Sequence, residues 1–295
     1  MKTKFITAIY SDLYGTKFGG RIGRKDHYRF SLLSLLKMTD ADFVCYTSER
    51  EIEELENLFY VEHKIDTKRL TFVVFDLEKT KNTPLIQKYK DEEGAKKSDR
   101  CIDLQYCKFE WVGDNLCGNY SNYFWIDAGL SHCGLIPVRY LSNHGFRGYF
   151  ESSLFNNAFL KNLNDFTGDR IFIIGKENSR NYWSGTVNPR HFKKYDSSYH
   201  IIGGLFGGSQ SSVSKFVDLF NENVEIITEA DKRLYHEEDI MTLIWRNNSD
   251  LFNVKCFDTW WHENERIPGM DIAEHLQSNK SFYKILEELN TPIFE

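Results

Sequence analysis

The stretch "NYFWIDAGLSHCGL", residues 122 to 135, places a single carboxylate, Asp127, directly after four aromatic or aliphatic residues. A short apolar run of this kind is typical of a strand that is buried on both faces of a parallel sheet. Ligands of open α/β sheets bind at the carboxyl ends of the strands, which is where Asp127 would lie. Its carboxylate could hold a hard divalent cation or cap the turn that Ala128 and Gly129 begin. The stretch by itself favours neither role.

The sequence on both sides of this stretch alternates short apolar runs with helical patterns, which predicts an α/β fold. We expect one domain over residues 1–295, with a mostly parallel central sheet flanked by helices and a central strand at 122–127. Residues 203–208 contain four glycines, and we predict a glycine turn there, followed by a helix capped by Ser209 or Ser211. Further strands are predicted at 4–10, 42–48, 69–77, 170–176 and 251–257, and further helices at 28–38, 49–59, 101–112, 152–166 and 236–248.

The composition limits the classes of function. The formal charge of −6 lacks the basic balance of a general nucleic-acid binder, so we expect no nucleic-acid partner. No segment approaches the ~18 apolar residues that a membrane-spanning helix needs. The six cysteines show no zinc-binding spacing, which favours reduced core thiols. We therefore expect a cytoplasmic globular protein, and peripheral association with the inner membrane face stays open.

The segment "FWIDAGLSH" resembles a motif of the HtrL/YibB family of bacterial surface-polysaccharide proteins, in which a strand ends in Trp-Ile-Asp, a small or aromatic residue, and Gly. That family resembles the nucleotide-sugar glycosyltransferases of fold type A (GT-A). Their Asp-x-Asp motif binds a metal ion and the diphosphate of the donor. Asp127 matches the first Asp of the motif, whereas Gly129 stands at the second acidic position.

The second half of the chain resembles the ABO blood-group type of transferase. "YHIIGGLFGG", residues 199–208, leads through a helix to "HEED", residues 236–239. The resemblance implies that the glycines let a donor or acceptor sugar approach the backbone, because glycine has no Cβ. Taken alone, the glycines are more typical of a turn than of a sugar site, and "HEED" is also typical of an acidic helix start that the helix dipole stabilises. The sugar-site residues implied are Gly203, Gly204, Gly207 and His236.

The same resemblance assigns the catalytic acids. Glu238 aligns with the acid that faces the anomeric carbon of the sugar, and Asp239 is the alternative general base. The resemblance also divides the domain into a nucleotide-sugar-binding half, 1–135, and an acceptor-binding half, 136–295. The cofactor is expected to be Mn²⁺ or Mg²⁺, held by Asp127 and by His262, since type A enzymes often supply a C-terminal His. The donor-side residues implied are Ala8, Tyr10, Arg24, Lys108, Asp127 and Gly129.

The predicted function is a glycosyltransferase of the hexosyltransferase type. It would move a sugar from a nucleoside diphosphate donor, expected to be UDP-linked, to a growing surface glycan such as O-antigen, capsule or lipopolysaccharide. The acceptor would be a glycan or a lipid-linked glycan, and the sequence does not decide between retention and inversion. Two alternatives remain open. One is a non-catalytic carbohydrate-binding protein on the same fold, and the other is a metal-dependent hydrolase that uses Asp127, His132 and His262.

Overall fold

The computed structural model describes residues 2–11, 24–89, 99–128, 157–176, 187–194 and 201–257. Seven strands in these ranges form one sheet. They are β1 (Thr3–Ile9), β2 (Asp42–Thr47), β3 (Leu70–Val74), β4 (Asn122–Ile126), β5 (Ile171–Lys176), β6 (Ile201–Gly208) and β7 (Phe252–Phe257).

Seven α-helices accompany the sheet in the described part of the chain. None of them is long and apolar enough to cross a membrane. A π-helix, Asn57–Glu62, continues the α-helix that ends at Glu56, and 3₁₀ turns lie at Leu77–Lys79, Pro189–Lys194 and Ser249–Leu251. The helices are α1 (Arg24–Met38), α2 (Ile52–Glu56), α3 (Thr83–Tyr89), α4 (Asp99–Asp114), α5 (Asn157–Thr167), α6 (Gln210–Asp231) and α7 (Glu237–Asn247).

The strand order is β3-β2-β1-β4-β6-β5-β7, which puts β4 at the centre of the sheet. Four neighbouring pairs are parallel, and only β6 runs antiparallel to both of its neighbours. The mostly parallel sheet predicted from the sequence is therefore confirmed, with residues 122–126 as its central strand. Because β6 is reversed, its amino end lies at the same edge of the sheet as the carboxyl end of β4.

Helices cover both faces of the sheet. The apolar residues of α1, α2 and α5 pack on one face, and those of α4, α6 and α7 pack on the other. Side chains alternate between the faces along a strand. Phe124 and Ile126 of β4 therefore belong to the first face and Trp125 to the second. By the same alternation, Asp127 lies on the face that α4 covers.

The predicted glycine turn at 203–208 is wrong, because β6 continues through all four glycines. Gly207 pairs with Phe124 of β4, and a Cβ on Gly207 would lie 2.1 Å from the backbone oxygen of Tyr123. The two strands approach too closely for a side chain at this position. The helix after the strand does form, and Ser209 caps it as predicted by accepting a hydrogen bond from the Ser212 backbone N–H.

Three cysteines can be compared with the prediction of reduced core thiols. Cys45 and Cys107 are buried free thiols, and burial raises the pKa of both above its ordinary value. Cys117 is also a free thiol, but it is exposed, so the prediction of core burial is wrong for this residue. Its position after α4, in the loop that precedes β4, accounts for the exposure.

Candidate active site at the carboxyl edge of the sheet

Asp127 follows β4 directly, at the carboxyl edge of the sheet. Its backbone N–H donates to the Gly204 carbonyl over 2.8 Å, which extends the pairing between β4 and β6 by one step. Its Oδ1 accepts a hydrogen bond of 2.8 Å from the indole Nε1 of Trp125. About a quarter of the side chain is exposed. The carboxylate is thus oriented by the strand that carries it and remains open to a ligand.

Lys108 reaches this edge from α4. Its Nζ lies 2.9 Å from Glu237 Oε1, 3.3 Å from Asp127 Oδ1 and 3.4 Å from the Gly203 carbonyl oxygen. An ammonium group has three N–H donors, so these three acceptors use all of them. Burial lowers the pKa of Lys108, but the charges of Asp127 and Glu237 outweigh it and hold the pKa above its ordinary value. Lys108 is therefore a fixed internal cation.

Glu237, at the first position of α7, is almost fully buried. One carboxylate oxygen contacts Lys108, and the other lies 2.8 Å from Nδ1 of His236. Burial raises the pKa of Glu237, but the charges of Lys108 and His236 outweigh it, so the pKa lies below its ordinary value. Glu237 is a functional candidate that the sequence prediction missed.

Glu238 joins α7 to the amino end of β6. Its Oε1 accepts a hydrogen bond of 3.0 Å from the Gly203 backbone N–H. The register between β5 and β6 shifts at this point, because Ile173 pairs with Phe206 whereas Ile174 pairs with Ile202. Glycines suit such an irregularity. Burial and the nearby charge of Glu237 raise the pKa of Glu238 to about 7.

His236 and Asp239 flank the two glutamates. Burial lowers the pKa of His236, but the charges of Glu237 and Glu238 outweigh it and raise the pKa to about 9. The His236 side chain is 43% exposed, so this imidazolium stands at the rim of the cluster. Burial raises the pKa of Asp239 to about 6. Asp239 Oδ1 is buried and has no hydrogen-bond partner in the described part of the chain.

The other predicted site residues are spread more widely. Tyr10 is buried, its hydroxyl donates to the Phe75 carbonyl over 2.9 Å, and its ring stacks on Trp111. The structure therefore gives Tyr10 a core role, with Ala8 half-buried on the same face of β1. Gly207 lies toward the opposite end of β6, where it packs against β4. Arg24 is the first residue of α1, while Gly129, His132 and His262 lie outside the described residues.

Asp127 is the predicted metal ligand that lies within the described residues. Its Oδ1 faces Lys108 and Trp125, which leaves Oδ2 for a cation. No group of three or more His, Cys, Asp and Glu residues within the described ranges is arranged to bind a metal. One carboxylate oxygen fits a Mg²⁺ or Mn²⁺ ion that takes its other ligands from water and from substrate phosphates. The predicted second ligand, His262, lies outside the described residues.

The fold places the chain in a structural class. The chain has a glycosyltransferase-like fold, with a seven-stranded, mostly parallel sheet between helices. It is similar to the crystal structure of mouse xyloside xylosyltransferase 1 in its apo form, with a TM-score of 0.52 and 12% sequence identity. The match covers 90% of this chain and 91% of the mouse chain.

Comparisons of the sequence itself do not identify a family. No protein-family model and no curated protein matches the sequence. The resemblance to the HtrL/YibB family therefore stays a prediction, and the fold is what the comparison with the mouse enzyme shows.

Proposed function

We propose that this protein is a glycosyltransferase that moves a sugar from a nucleoside diphosphate donor to a glycan acceptor. The observation that carries the proposal is that Asp127, Gly203 and Glu238 meet at one edge of the sheet, although they are far apart in the sequence. Lys108 contacts both Asp127 and the Gly203 carbonyl and so links the three segments. In open α/β sheets this edge is where ligands bind. The glycosyltransferase-like fold supports the same assignment.

Glu238 is proposed as the general base toward the acceptor hydroxyl. Its pKa of about 7 suits proton transfer near neutral pH, because the carboxylate is then both available and basic enough to accept a proton. If the enzyme retains configuration, the same carboxylate would face the sugar and stabilise its developing positive charge. Asp239 is the alternative base, with a pKa of about 6, but its carboxylate lacks the contact with Gly203 that Glu238 makes.

Asp127 is proposed to face the donor. A divalent cation on its carboxylate, when bound, would offset the negative charge of the leaving diphosphate. Lys108 holds the carboxylate in place from behind, and Gly203 and Gly204 bring the backbone of β6 to the same edge. We further propose a UDP-linked donor, a surface glycan or lipid-linked acceptor and a cytoplasmic location, with Ala8, Arg24, Gly129, His236 and His262 as additional donor, sugar or metal contacts.

A panel of nucleotide sugars tests the donor side. The thermal midpoint of unfolding is measured with each sugar, with and without Mn²⁺. We expect one donor to raise the midpoint only when the metal is present, because the ligand stabilises the folded state by mass action. Asp127→Asn should lose the metal-dependent part of the rise. A panel in which no donor changes the midpoint contradicts the proposal, and a donor that binds without any transfer to glycan acceptors favours the non-catalytic alternative.

Paired substitutions test the catalytic acid. Glu238→Gln should lower kcat by about 10²- to 10⁴-fold while the donor KM changes little, because a general base acts in the transition state. Asp239→Asn is the matched control, since successive helix residues point about 100° apart. If Asp239→Asn loses the rate and Glu238→Gln keeps it, the base is Asp239. If both variants keep the rate, Glu238 and Asp239 only stabilise the start of α7 through the helix dipole.

A further inference from the structure

The start of α7 is joined to α4 by three consecutive contacts. The Tyr106 hydroxyl donates to the Tyr235 carbonyl over 2.8 Å. Gln105 Nε2 lies 2.8 Å from His236 Nε2. Lys108 Nζ lies 2.9 Å from Glu237 Oε1. The last contact is the one that connects this helix start to the charged site.

Glu237 is central to this connection. Its two carboxylate oxygens contact different cations, Lys108 on α4 and His236 at the start of α7. A Cβ at Gly203 would lie 2.9 Å from Glu237 Oε1, so β6 approaches the same carboxylate from a third side. Glu237 is therefore packed between two helices and a strand, and its side chain is only 3% exposed.

The Gln105 amide can pair with His236 in either orientation of the amide, depending on the proton at Nε2 of the ring. Gln105 Nε2 faces His236 Nε2, while Gln105 Oε1 is buried with no hydrogen-bond partner among the described residues. A 180° rotation of the amide exchanges its oxygen and nitrogen. In the rotated orientation the amide oxygen accepts from the N–H at Nε2 of an imidazolium, while Nδ1 lies 2.8 Å from Glu237 Oε2 as an ion pair. The contacts of His236 with Gln105 and Glu237 are therefore compatible with a charged ring.

We propose that Glu237 is a positioning residue. Its carboxylate holds the charged side chains of Lys108 and His236 and thereby fixes Glu238 against Gly203. This role in catalysis rests on the proposed function, since it acts through the proposed base. The neighbouring residue Glu238 has no contact with Lys108 of its own in the described structure, and its hydrogen bond to Gly203 depends on where α7 begins. A shift of about 1 Å in such a group can lower a rate by on the order of 10²-fold.

The first test is independent of any enzyme activity. The imidazole resonances of His236 are followed by NMR against pH in the wild type and in Glu237→Gln, with assignment by His236→Gln. Among the described residues, the charged groups near the ring include Glu237, Glu238, Asp239 and Lys108. In the wild type the pKa should lie near 9, and in Glu237→Gln it should fall by about one unit or more toward the ordinary 6.5. Glu225→Gln, which removes an exposed carboxylate from α6, should leave it unchanged.

A second variant displaces the carboxylate without removing its charge. Gly203→Ala would press on Glu237 Oε1, so it should also lower the pKa of His236, although less than Glu237→Gln does. If Glu237→Gln does not fold, Gly203→Ala still tests whether Glu237 controls the pKa of His236. An unchanged His236 pKa in the folded variants overturns the proposal, whether or not the protein transfers sugar.

The kinetic test separates positioning from stability. With the donor identified by the panel, Glu237→Gln should lower kcat by about 10- to 100-fold and change the donor KM by less than about threefold. A lowered His236 pKa with an unchanged kcat overturns the positioning role. If the wild type transfers no sugar at all, the proposed function fails, and the NMR titration alone decides whether Glu237 orders the cluster.

Discussion

Replacing Lys108 by Met should destabilise the fold strongly. Met has a similar length and no charge, so the change removes the cation while roughly preserving volume. Lys108 is 6% exposed, and its Nζ lies 2.9 Å from the buried carboxylate of Glu237. Breaking a buried ion pair by removing one partner costs about 3–5 kcal/mol, because the other charge remains buried. We expect a loss of this size in the free energy of unfolding, measured by urea denaturation with tryptophan fluorescence at neutral pH.

Three comparisons decide whether the buried charge is the cause. Lys108→Met/Glu237→Gln should be about 2 kcal/mol more stable than Lys108→Met, because a buried neutral amide is less unfavourable than a buried carboxylate. Lys88→Met removes a lysine at a similar distance from Glu229, but on the surface, and should change stability little. The gap between wild type and Lys108→Met should also narrow as the pH falls toward about 5, because Glu237 without Lys108 takes up a proton more easily. A loss below about 1 kcal/mol, or additive effects in the double variant, would refute the argument.

Two further predictions concern packing and pH. Gly207→Ala should lower the free energy of unfolding by about 1–3 kcal/mol or prevent folding, because its Cβ would meet backbone atoms of β4 that cannot move aside. Gly113→Ala is the matched control in urea denaturation, since its Cβ would meet only a Val217 methyl group at 3.2 Å. The pKa values of Glu238, about 7, and His236, about 9, are raised in the folded state. The protonated forms of Glu238 and His236 therefore contribute to the free energy of unfolding at low pH, and this contribution is lost as the pH rises through their pKa values in the folded state. Urea titrations should show this decline, and Glu238→Gln should remove the step that ends near pH 7; a flat profile would contradict both assignments.

The sheet was predictable from the sequence because each strand carries its own local pattern. The run before Asp127 is apolar at every position, and such runs form strands that are covered on both faces. The same stretch also predicted that Asp127 lies at the carboxyl edge of the sheet, since this edge collects the residues that follow the parallel strands. In the structure, Glu238 and Gly203 also lie at that edge and contact each other. These inferences needed only the order of the segments and the residue types within them.

The glycines of β6 show what the sequence did not reveal. A turn and a closely packed strand select glycine for the same reason, the absence of a Cβ, so the pattern predicted a turn where the structure has a strand. Only the distance from Gly207 to the backbone of Tyr123 separates the two explanations. A distance between strands depends on pairing across about 80 residues of sequence, which no local pattern reports.

The role of Lys108 was also only partly visible. The residue was assigned to the donor, but the structure gives its three N–H donors to acceptors within the protein. Its position offered a clue, since it lies between Cys107 and Phe109 in an apolar part of α4. A lysine in such a place is almost always paired, which predicts an acidic partner without identifying it. Glu237 is 129 positions away, and only the packing of α7 against α4 identifies it.

The charges of the described cluster constrain how a donor could bind. Lys108 and His236 carry positive charge, and Asp127 and Glu237 carry negative charge, so these four residues offer no net attraction for an anion. Glu238 adds negative charge as the pH rises above about 7. A nucleoside diphosphate brings further negative charge to the same edge, where burial strengthens repulsion. Binding of the proposed donor would therefore require positive charge from beyond this cluster, either a divalent cation on Asp127 or a basic side chain such as Arg24. The comparison with and without Mn²⁺ distinguishes the two.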